Sequence, residues 1–278
     1  MALFTVLLVL LLERGRLLPA AWRLEQWWQE TEQRDSDRRI LGDMRWALLL
    51  PLLPALATAL LLALVQTLLW GGISLLIWLL VLAACVGQPQ LRALYHDLIR
   101  AGCRGDDTAL AHHEDELRAA ATTSGGEMQS LAQALFWFNF RYYAAPLLLA
   151  AIAGPVAVVL YVSLCHVLQQ RDDLHPRAQQ LYGRLLALVE QLLVRVVGLM
   201  YVVVGDFARS FPLWLHSLYD WRQPPAKVLA TIAGGAADGE ALRHSPLVEA
   251  CHSVTLAKRQ IIGLLVLVAV LTIYGWVI

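Results

Sequence analysis

Long uninterrupted apolar runs constrain this chain more than anything else in it. Each is about the length a helix needs to cross a hydrocarbon core, roughly 20 residues. The runs are Trp46–Gln66, Leu68–Gly87, Ala145–Leu168 and Ile261–Ile278. In lipid no water is present to satisfy backbone amides, so such segments must form helices that satisfy themselves. Charged residues are only 16% of the chain and apolar residues 58%, against about 25% charged in a soluble domain. These runs predict an all-α, polytopic helical membrane protein, a single integral membrane domain over residues 1–278.

The four runs read as four clear spans. Pro51 and Pro54 fall in the opening turns of the first, where proline costs least. Gly71 and Gly72 follow the first run closely, so the first two spans read as a tight hairpin. Gly154 and Pro155 mark a kink in the third. A fifth stretch, Leu185–Asp206, is apolar but interrupted by Glu190 and Arg195. It reads as a fifth span with a polar seam, or as an amphipathic helix lying on the membrane. The N-terminal segment 1–12 is apolar but short. It lacks a basic start and a small-residue cleavage site, so it reads as a retained short helix rather than a secretory signal.

Charge distribution orients the spans. The segments 13–45, 88–144 and 207–260 fall on one side and hold eighteen lysines and arginines; the other side holds three. Those segments are expected to be cytoplasmic and helical, with the C-terminus on the outer face. In the second of them, Ala109–Ala121 reads as helix, broken at Thr122–Gly126. Trp137, Phe138, Phe140, Tyr142 and Tyr143 precede the third span and read as headgroup-zone anchors.

Several chemistries are excluded or weakened. The formal net charge is zero, and no basic stripe with interleaved aromatics is present, so nucleic acid is not an expected partner. Cys85, Cys103, Cys165 and Cys251 are far apart with no CxxC, which supports neither a zinc site nor a disulfide framework. The loop Gly234–Gly239 lacks the lysine of a phosphate loop. His112 and Glu116 share a helical face, but two ligands do not make a zinc site. No metal site and no catalytic residue is assigned.

Four residues remain as candidates for ligand binding. Arg195 lies in an apolar stretch, where a guanidinium must pair or face a polar cavity. Glu190, five residues away, points to another face, so another helix should supply the partner; Glu13 is one candidate. The alternative is an Arg195 that snorkels from a surface helix. Asn139 and Arg141 stand just before Ala145-Pro146-Leu147. They suit either an anionic group at the membrane mouth or interfacial anchoring.

The order of these segments resembles the AmpE family. The resemblance rests on Leu3-Phe4-Thr5 through Glu13-Arg14, Asn139-Phe140-Arg141 with Ala145-Pro146-Leu147, Val194-Arg195, and the ending Leu271-Thr272-Ile273-Tyr274-Gly275. It implies an inner-membrane protein of a Gram-negative bacterium, a regulatory signalling modulator of β-lactamase induction linked to peptidoglycan recycling, and non-catalytic. It also implies an AmpD-like cytosolic amidase or cell-wall muropeptides as partners, beside the lipid bilayer. The family is distantly similar to membrane-bound cobinamide synthases of the CbiB/CobD type. That similarity implies an alternative, a membrane enzyme or ligand-binding protein with a magnesium-nucleotide or anionic-substrate site. Here Arg141-Tyr142-Tyr143 stands where those enzymes carry an acidic residue and a glycine. A carboxylate suited to magnesium is thereby lost, and no cofactor is assigned outside that alternative. Gly71-Gly72 and Gly154 permit close helix contacts, so a homo-oligomer is compatible with the sequence.

Overall fold

The computed structural model describes residues 5, 8, 9, 49, 51–68, 71–125, 128–169, 175–237 and 245–275. The expectations for segment 13–45 and for Glu13 fall outside them, as does most of segment 1–12. The described residues are almost all helical, and none of them lies in a strand. The protein is an all-α helical membrane protein.

The helices are α1 (Leu52–Leu68), α2 (Gly71–Cys85), α3 (Pro89–Arg104), α4 (Asp107–Gly125), α5 (Leu131–Asn139), α6 (Ala145–Ala153), α7 (Pro155–Gln169), α8 (Pro176–Val204), α9 (Phe207–Tyr219), α10 (Pro225–Ala236) and α11 (Pro246–Ile273). A wide π-turn over Phe140–Ala144 joins α5 to α6. By length and apolar composition Leu131–Ala153, α8 and α11 can each cross a membrane, and α2 with α3 can do so as a broken pair. At about 1.5 Å per residue, α8 and α11 exceed a 30 Å hydrocarbon core.

The chain forms two compact units interleaved in sequence. One comprises Met1–Gly87, Pro146–Leu188 and Leu267–Ile278; the other comprises Gln88–Ala145 and Val189–Val266. In the first unit α7 packs along α1 and α2. The apolar run 145–168 is broken at Gly154, whose φ of 82° is left-handed. A side chain there is strained, and a Cβ would meet Trp78 at 3.6 Å. Leu56, Leu60 and Leu64 of α1 are exposed, as lipid-facing leucines should be.

The second unit has an interior of its own. α3 and α4 form a helical hairpin over fully buried Leu98, Ala101, Leu117 and Ala121. Gly105 (φ 71°) closes α3, with the Asp106 amide donating to Ala101 O at 3.1 Å. This is a glycine C-cap that satisfies orphan carbonyls. Asp106 then caps α4 by accepting from the Ala109 amide at 3.0 Å.

Helix α4 continues past the break expected at Thr122. The Thr122 and Thr123 hydroxyls donate to the carbonyls of Arg118 (2.8 Å) and Ala119 (3.1 Å), four residues back. Both hydroxyls are thereby satisfied within the helix and are not spent on a competing turn. The aromatics before the third span also differ from expectation. Trp137, Phe138 and Phe140 are buried, and Trp137 stacks on Phe140 at 5.2 Å. They are core residues of the second unit, not headgroup anchors. The interior and the lipid both select apolar side chains, which is why composition did not separate them.

A candidate functional site of buried polar side chains

The second unit carries two groups of buried polar side chains. The first gathers at the π-turn. A π-turn adds one residue to an α-helix, rotating the downstream residues by about 100°, and such bulges are frequent at functional sites. Asn139, just before it, donates from Nδ2 to the Tyr201 hydroxyl (3.1 Å) and to Gln260 Oε1 (2.8 Å). One amide thus ties α5 to α8 and α11. Gln260 and Ser253 lie two turns apart on α11, both fully buried. Gln260 Nε2 and Ser253 Oγ have no hydrogen-bond partner among the described residues.

Arg141 lies within the π-turn and is buried. It donates to the carbonyl of Ser124 near the end of α4, and its Nη1 is 3.8 Å from Glu190 Oε1 on α8. Both side chains of this ion pair are less than a tenth exposed. The Ser124 hydroxyl in turn accepts from Trp137 Nε1 at 3.1 Å. The neighbouring Tyr143 hydroxyl accepts from Arg92 Nη2 at 2.9 Å.

The second group surrounds Arg195, which is only 7% exposed. That excludes snorkelling to a helix surface. Nη1 donates to Gln191 O and Gln191 Oε1, both at 2.6 Å. Nη2 donates to Ser217 O (2.8 Å) and Asp220 O (3.2 Å). These last two carbonyls belong to the C-terminal end of α9, the negative end of its dipole, where a cation is stabilised. Trp221 lies against the guanidinium at 4.0 Å, in reach of a cation–π contact. Trp214 Nε1 donates to Arg195 O at 2.8 Å, and the Gln191 amide donates to Gln223 O.

The turn before α9 is fixed against the end of α10. Asp206 caps α9, accepting from the Arg209 amide at 3.3 Å, while its own amide donates to Ala236 O at 3.0 Å. A Cβ on Gly205 would lie 2.5 Å from that same oxygen, so only glycine admits so close an approach.

Asn139 and Arg141 therefore stand together at one π-turn, while Arg195 reaches the end of α9. Another helix does supply the hydrogen-bond partners of Arg195, as carbonyls, and the Asp220 carboxylate acts on it by charge alone. Glu190 serves Arg141. Sequence reasoning did not single out Tyr201, Gln260, Ser124 or Gln191; the polar interruption of an apolar helix was a signal only for Gln191. Among the described residues no three His, Cys, Asp or Glu side chains gather as a metal site. His112 and His113 instead both face Glu116, at 3.4 and 3.1 Å, on α4.

The donors and acceptors here mostly satisfy one another across α4, α5, α8, α9 and α11. The fold and site define a helical membrane protein with a polar interior that holds helices together. The family model for the regulatory signalling modulator protein AmpE matches residues 1–278. Protein AmpE from Shigella flexneri is 31% identical over 291 residues, covering 99% of each chain. The chain belongs to the AmpE family of regulatory signalling modulators. No solved structure matches it.

Proposed function

We propose that this protein is a non-catalytic modulator of β-lactamase induction, set in the bacterial inner membrane and linked to peptidoglycan recycling. The observation that carries the reading is end-to-end membership of a signalling-modulator family. Outside the membrane-crossing helices, segments 88–144 and 207–260 face the cytoplasm in this reading and the C-terminus faces the periplasm, in keeping with the lysine and arginine bias. Those segments contain most of the second unit. They are the surfaces offered to an AmpD-like amidase or to cell-wall muropeptides. Asn139, Arg141 and Arg195 hold the register of the helices through which such contact is transmitted.

The test is an in-frame deletion in the native host, with β-lactamase activity followed across inducer concentrations. The expected result is a shifted induction curve, restored by the intact chain and not by one carrying Arg195→Ala. An unshifted curve at every inducer concentration overturns the reading.

A further inference from the structure

We infer that the aromatic face of α9, which folds back along α8, is seated in the lipid bilayer. The helix is inside out by the standards of a water-soluble protein. The side chains it turns inward at full burial are the small polar ones, Ser210 and Ser217. Ser210 donates to Asp206 O at 2.5 Å and Ser217 to Trp214 O at 2.6 Å. Along one side it turns large apolar side chains outward. Phe207, Phe211, Leu215 and Tyr219 are all exposed, Tyr219 at 84%.

Those four recur every fourth residue, so they form one stripe along the helix. Phe207 stacks on Phe211 at 4.9 Å, which makes the stripe continuous. Arg209 and His216 are exposed seven residues apart on another face, and Arg209 is held by Asp206 at 3.2 Å. A helix with an aromatic face beside a polar one is the form that seats at the edge of the bilayer. Aromatic rings favour that depth.

Two further observations choose lipid over a protein partner as the occupant. α9 follows the membrane-crossing α8 after only Gly205 and Asp206, so its stripe begins where an apolar span ends. Trp214 Nε1 and the carbonyls of Ser217 and Asp220 all meet Arg195 of α8, so α9 folds back along an apolar span and carries the stripe beside it. Small residues turned toward other helices, with large apolar ones outward, is also how membrane helices pack. Segment 207–260 therefore begins in the bilayer surface rather than in free solution.

The test uses the full chain with Cys103→Ser and Cys251→Ser, which removes the exposed thiols and leaves the buried Cys85 and Cys165. Spin labels are placed one at a time at 207, 209, 211, 215, 216 and 219, in vesicles of phosphatidylcholine and phosphatidylglycerol. Collision rates with oxygen and with a water-soluble nickel chelate are then compared. Lipid seating predicts a severalfold higher oxygen-to-nickel ratio at 207, 211, 215 and 219 than at 209 and 216. Uniformly high nickel access overturns the inference. So does shielding of the stripe from both reagents, which would place a protein partner there. Depth-dependent quenching by brominated lipid of a fluorophore at 211 supplies the second reading. No quenching at any bromine depth counts against the helix in the bilayer, even if one label disturbs packing.

Discussion

Arg141 and Arg195 are both buried cations in apolar helices, yet the protein holds them by different means. Arg141 faces a carboxylate, Glu190, on another helix. Arg195 faces no carboxylate among its hydrogen-bond partners; it takes two carbonyls at the end of α9, two oxygens of Gln191 and the face of Trp221. The difference shows that a full opposite charge is one solution to burying a guanidinium, and a helix end is another. Arginine suits both, because its five donors lie in a fixed planar fork.

The largest expected effect breaks the first arrangement. Glu190→Ala removes the Glu190 carboxylate from buried Arg141, and removing one partner of a buried pair costs about 3–5 kcal/mol. A marked fall in the unfolding midpoint in detergent, read by intrinsic fluorescence, checks this. A change within error would mean that Glu190 does not hold the guanidinium.

A smaller effect sharpens the second arrangement. Arg195→Lys keeps the charge but cannot reach Gln191, Ser217 and Asp220 together. Buried acceptors left unmade cost about 1–3 kcal/mol, so a loss of about 2 kcal/mol is expected. Trypsin cleavage at Arg222 and Lys227 should accelerate in this variant, because the end of α9 is no longer clamped. Equal cleavage rates would show that the clamp is not what orders that turn.

The smallest effect asks the same question with the signs reversed and in water. Asp106 is a carboxylate at the N-terminal end of α4, and the Ala109 amide and Thr108 hydroxyl hold its pKa below the ordinary carboxylate range. A depressed pKa contributes stability above the unfolded value, lost as pH falls through the folded value. Asp106→Ala should therefore destabilise α4 slightly at neutral pH and not at all in strong acid. Hydrogen exchange of the amides at 107–110 measures this, and a pH-independent difference would contradict it.

Much of this is legible in the sequence. Apolar runs identify the helices, Gly154-Pro155 marks the break in the third run, and the cost of a cation in an apolar stretch singles out Arg195. The partners are not legible. Glu190 lies 49 residues from Arg141, and only tertiary packing brings them together. Carbonyl partners carry no signature at all, since every residue has one. The division into two units is hidden for a related reason. Three of its boundaries, 145/146, 188/189 and 266/267, fall within apolar sequence with no linker composition to mark them, and Gly87-Gln88-Pro89 marks the fourth. Trp137, Phe138 and Phe140 read as anchors in the sequence because the headgroup zone and a helical core accept the same side chains.

A double-mutant cycle on Arg141→Met and Glu190→Gln tests the difference between the two cations most directly. Unfolding free energies are measured for both single variants and the double in detergent micelles. The ion pair predicts strong coupling, about 2 kcal/mol or more, with the double variant more stable than either single one. Additive losses, within about 0.5 kcal/mol, would mean that Arg141 and Glu190 do not hold each other and that the contrast with Arg195 is false.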